Sequence, residues 1–84
     1  MDVATTTLAE RIARALAGSD HSANAEGTEQ SASISVDETW RGYLGQAKAV
    51  LRTMREPSKA MSAAGDLGVW SAMIDQAITE GDSL

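Results

Sequence analysis

The sequence predicts an all-α protein: a small bundle of three main helices plus one short helix after a proline corner. Three observations carry this. Apolar residues recur at helical spacing in three separate stretches. Each stretch opens on a Ser, Thr or Asp suited to cap a helix N-terminus. The single proline, Pro57, falls between the second and third stretches, where it ends one helix and starts another.

Residues 1–17 form the first element, an amphipathic helix. Leu8, Ala9, Ile12, Ala13 and Leu16 make one apolar stripe. Thr7 and Glu10 fit a capping box, although the pattern also allows a start near Asp2. Glu10 and Arg14 stand four apart and pair on one face. Gly18 is the expected stop. Residues 18–34 follow as an acidic linker, expected to be disordered, because residues 18–33 hold no large apolar side chain to bury. On that reading the first helix is tethered rather than rigidly placed, and His21 is a solvated loop histidine.

Residues 35–80 are the compact helical domain, with residues 81–84 as a tail. The second helix runs from about Ser35 to Arg55. Its apolar face is Trp40, Tyr43, Leu44, Ala47, Val50, Leu51 and Met54. Steps of about 100° per residue place two further faces on it. One is a strip of small side chains, Gly42, Gly45, Ala49 and Thr53. Either another backbone comes close there, or the glycines are simply tolerated on an exposed side. The other face is basic, with Arg41, Lys48, Arg52 and Arg55, and with Lys59 just past the corner.

At that corner, proline lacks an N–H and clashes with the preceding turn, and it also pushes Glu56 out of the helical region. Pro57 is therefore expected at the first position of a short helix with Ala60, Met61 and Ala64 facing inward and Gly65 ending it. Asp66 is a good cap for the last helix. Leu67, Trp70, Met73, Ile74, Ala77 and Ile78 make its stripe, and Gly81 its stop.

Composition narrows the function classes. The chain has 84 residues, enough for one domain at most, with a net charge of −5 and a pI near 4.6, which opposes nucleic-acid or membrane-surface binding by the chain as a whole. Cysteine is absent, so disulfides, thiolate metal sites and a cysteine nucleophile are excluded. One histidine gives no metal site, and no cofactor is expected. No signal segment and no apolar run of about 18 residues is seen, so the expected compartment is the cytoplasm. Charge is blocky. Residues 39–59 carry a net +4, five bases against Glu56, and residues 60–84 a net −4. With fifteen alanines in the chain the core is thin, which points to self-association as a further source of stability.

No catalytic constellation is present: no P-loop, GxGxxG, HExxH or GxSxG. Asp37 and Glu38 are adjacent, so they point about 100° apart and suit the helix dipole better than acid–base chemistry. Met54, Met61 and Met73 flank the corner, as core filler or as an adaptable binding surface. Trp40 and Trp70 read as core anchors.

The residues Arg55-Glu56-Pro57-Ser58-x-Ala60-Met61, an Ala-Gly, then Trp70-x-Ala72-Met73-Ile74-Asp75 resemble a pattern in short uncharacterised proteins of bacteria and their phages. The resemblance spans residues 40–78 and implies no particular activity.

The functional expectation is a non-enzymatic protein-interaction or structural module, self-associating and part of a phage-type or regulatory assembly. Its partners are another copy or another protein, with no membrane and with nucleic acid disfavoured. The alternative is a nucleic-acid accessory protein using the basic face. The short helix and the one after it superficially resemble a helix-turn-helix. The would-be recognition helix has no Arg or Lys, which phosphate contact requires.

Overall fold

The computed structural model describes residues 3–24 and 35–84. Among them the structure is helical, with no strand. Helix α1 spans Leu8–Asn24. Residues 35–39 are helical and lead into a 3-10 turn, Trp40–Tyr43. Helix α2 is Leu44–Met54, α3 is Lys59–Ala64 and α4 is Leu67–Asp82.

Helix α1 starts where its cap dictates. The Glu10 backbone N–H donates to Thr7 Oγ1 at 3.2 Å, and residues 3–6 are not helical. Its core ridge is alanine. Ala9, Ala13 and Ala17 recur every fourth residue and are fully buried, so neighbouring backbones come close. Ala13 and Ala17 pack with Trp40 and Ala47, and Ala9 packs with Leu51 and Ala77. Ile12 and Leu44 border both clusters and join them into one core. A close approach is at Gly81, where a Cβ would lie 2.9 Å from that of Ala9.

The structure corrects the sequence reading at several points. Helix α1 does not stop at Gly18 but runs through Asn24. Three contacts hold its extension. Val36 packs beside Gly18, the Tyr43 hydroxyl hydrogen-bonds Asp20, and His21 Nε2 lies 2.9 Å from Thr39 Oγ1. Thr39 already donates its one hydroxyl proton to the Ser35 carbonyl, so the histidine nitrogen carries the proton and donates. His21 is thus a contact residue rather than a solvated one. The rest of the expected linker, residues 25–34, lies outside the described residues. Helix α1 packs on its own chain against the 3-10 turn, α2 and α4.

The second helix is helical from residue 35 to Met54, but the 3-10 turn interrupts its α geometry. That turn contains Gly42, whose helix propensity is poor, and seats Trp40 in the core. Pro57 does not open α3. Ser58 caps that helix, accepting from the Met61 N–H at 3.2 Å, which leaves Pro57 just outside. Asp66 caps α4 as expected, accepting from the Val69 N–H at 2.9 Å. Gly81 is no stop either, since α4 continues through Asp82.

The largest difference is which helix completes the core. Helix α3 has no buried residue: Ala60, Met61 and Ala64 are exposed, as are Leu67 and Met73. Helix α1 covers α2 and α4 instead. The corner is left outside, with its apolar side chains uncovered.

Candidate interaction surface

The corner is built from its caps and one side-chain bond. Met54 ends α2, so its carbonyl has no partner within the helix. The indole N–H of Trp70, one turn into α4, donates to it at 2.6 Å. Residues 55–66 between these anchors project outward. Pro57, Met61, Leu67, Val69, Trp70 and Met73 line a groove of about 270 Å³. Four of these are large apolar side chains left open to solvent: Met61 at 48%, Leu67 at 53%, Val69 at 57% and Met73 at 65%. Trp70 and Met73 also line a second, larger hollow, bounded on its far side by Val3–Thr7 of the N-terminal segment. They therefore border both concavities, Met73 being the exposed one of the two and Trp70 half-buried.

The basic residues do not form one free stripe. Arg41 stacks on the Trp40 ring, its guanidinium carbon 4.4 Å from the centroid. Arg14 of α1 lies over the same ring at 5.2 Å. Lys48 pairs with Asp82 at 3.5 Å and Arg55 with Asp75 at 2.8 Å. Among the described residues, Arg52 and Lys59 form no ion pair. The acids facing the basic block come from α4. The linker-side acids turn elsewhere: Asp37 accepts from Arg14 at 2.6 Å, beside the expected Glu10–Arg14 pair at 2.9 Å, and Asp20 holds Tyr43. Two carboxylates accept from the Arg14 guanidinium, and this raises its pKa, with Asp37 the larger cause. Hydrogen bonding to Asp20, and then desolvation, raise that of the Tyr43 phenol.

The strip Gly42, Gly45, Ala49 and Thr53 lies on the surface. A Cβ at Gly42 or Gly45 would meet no atom within 4 Å beyond its chain neighbours and its own helical turn. Thr53 bonds back to the Ala49 carbonyl at 3.0 Å.

The sequence placed Met61, Leu67 and Met73 in the core and passed over Val69. The methionines around the proline were the available signal for a surface. Among the described residues every buried side-chain polar atom is hydrogen-bonded, and no helix is long and apolar enough to cross a membrane. No protein-family model, curated protein or solved structure matches the chain.

Proposed function

We propose that this protein is a non-enzymatic interaction module that self-associates in the cytoplasm. The uncovered apolar corner carries the reading. Single exposed apolar residues are ordinary, whereas a contiguous groove of them marks an interaction surface. Two of its side chains are methionines, which repack to fit a partner. The pattern resembling short bacterial and phage proteins falls on this same segment, which supports a place in a phage-type or regulatory assembly. A nucleic-acid role through Arg41, Lys48, Arg52, Arg55 and Lys59 draws less support, because Lys48 and Arg55 are tied to acids of α4. Sedimentation equilibrium tests the proposal. Association in the micromolar range is expected, and a monomer at high micromolar concentration would overturn it.

A further inference from the structure

We infer that the corner groove takes a second copy of this chain, packed about a two-fold axis. This rests on the self-association reading and adds the surface and its geometry to it. A two-fold interface must be complementary to itself in both shape and charge. The corner meets both requirements. In shape, the exposed Met73 side chain stands between the groove of about 270 Å³ and the adjoining hollow, so Met73 of one copy can enter the groove of the other. In charge, the sign of the chain changes at the corner, from a net +4 over residues 39–59 to a net −4 over residues 60–84. The pairs Arg55–Asp75 and Lys48–Asp82 are satisfied within the chain.

What remains near the apolar centre carries both signs. Arg52 and Lys59 are the bases, and Glu56, Asp66 and Glu80 the acids; among the described residues none of the five is in an ion pair. Asp66 lines the groove itself and Glu80 the adjoining hollow. Arg52 and Glu56 share a polar hollow with Ser71, next to Trp70. A partner of one sign would leave either the two bases or the three acids without a counter-charge. A second copy turned through a half rotation offers each sign its opposite. The small-residue strip on α2 lacks such a centre, having neither large apolar side chains nor charge.

The experiment is sedimentation equilibrium on the full chain and three variants, with circular dichroism to confirm that each keeps its helices. The double variant Val69→Lys/Met73→Lys adds charge to the apolar centre. Met73→Gln removes apolar contact without adding charge. Ala49→Leu probes the small-residue strip. The expected result is a wild-type dimer whose Kd rises at least about tenfold in the double variant, rises less with Met73→Gln, and stays unchanged with Ala49→Leu. Because Val69 and Met73 are exposed, the monomer fold is expected to survive both changes. Should the double variant lose helicity, Met73→Gln decides. A wild-type dimer indifferent to the corner variants, or one broken by Ala49→Leu, overturns this inference and leaves self-association standing. A monomeric wild type overturns both.

Discussion

The indole N–H of Trp70 and the backbone carbonyl of Met54 lie 2.6 Å apart, and this bond closes the proline corner. It satisfies a carbonyl that the end of α2 leaves without a helical partner. Trp70→Phe keeps most of the ring and removes the donor. Urea unfolding should show a loss of about 1 kcal/mol, the ordinary net value of such a bond, or somewhat more if water does not reach the carbonyl. Unchanged stability would mean that water replaces the indole at no cost.

Replacing Pro57 with alanine restores an N–H and removes the steric bar to a continuous helix. The bend should nevertheless persist. Ser58 still caps α3 through the Met61 N–H, Asp66 still caps α4, and Trp70 still reaches Met54 only if the chain turns. Backbone chemical shifts in the Pro57→Ala variant should keep a helix break at residues 55–58. A single helix through residue 64 with wild-type stability would assign the bend to proline alone.

Local rules made much of this fold legible. Thr7 and Asp66 act as the helix caps the sequence implies, because capping needs only an oxygen within reach of an amide three residues on. Trp40 and Leu51 are buried as the helical spacing of the second stretch implies. What was not legible depended on which helix covers which. The spacing that puts Met61 and Met73 on apolar faces says nothing about whether a neighbour covers those faces. The alanine ridge of α1 packs on α2 and α4, so α3 stays outside. Gly18 looked like a stop because the contacts that extend α1 come from Val36, Thr39 and Tyr43, about twenty residues away. The basic face was legible as a pattern, but its partners Asp75 and Asp82 sit on a helix whose register against α2 only packing sets.

Two glycine substitutions should move stability in opposite directions. At Gly81 an added methyl lies 2.9 Å from Ala9 Cβ, a contact between two helices that neither side chain can relieve by rotating. Gly81→Ala gains about 1 kcal/mol of helix propensity, set against roughly 1–3 kcal/mol for forcing α1 and α4 apart. A net loss is expected. Gly45, near the start of α2, has no atom within 4 Å of its added methyl beyond its chain neighbours and its own helical turn. Gly45→Ala should therefore stabilise the protein by up to about 1 kcal/mol. Thermal melts of the two variants should bracket the wild type, and a more stable Gly81→Ala would show that the Ala9 contact yields easily.

Tyr43 and Asp20 give a prediction about alkaline pH. The phenol donates to the Asp20 carboxylate, and that hydrogen bond, then desolvation and the carboxylate's charge, all favour its neutral form and raise its pKa above the usual 10.0. The chain has one tyrosine, so phenolate absorbance reports this group alone. The folded state holds the proton more tightly than the unfolded chain. Its stabilising effect is fully present below the unfolded pKa of about 10 and is lost as pH rises through the higher folded value. Asp20→Asn removes the carboxylate charge and should bring the tyrosine titration down towards that of an unperturbed phenol. The same variant weakens one of the contacts holding α1 beyond Gly18. Amide exchange should then speed up around Asp20 and His21, while Ala9 and Ala13 keep their protection. A tyrosine titration unmoved by Asp20→Asn would rule out this hydrogen bond as the cause.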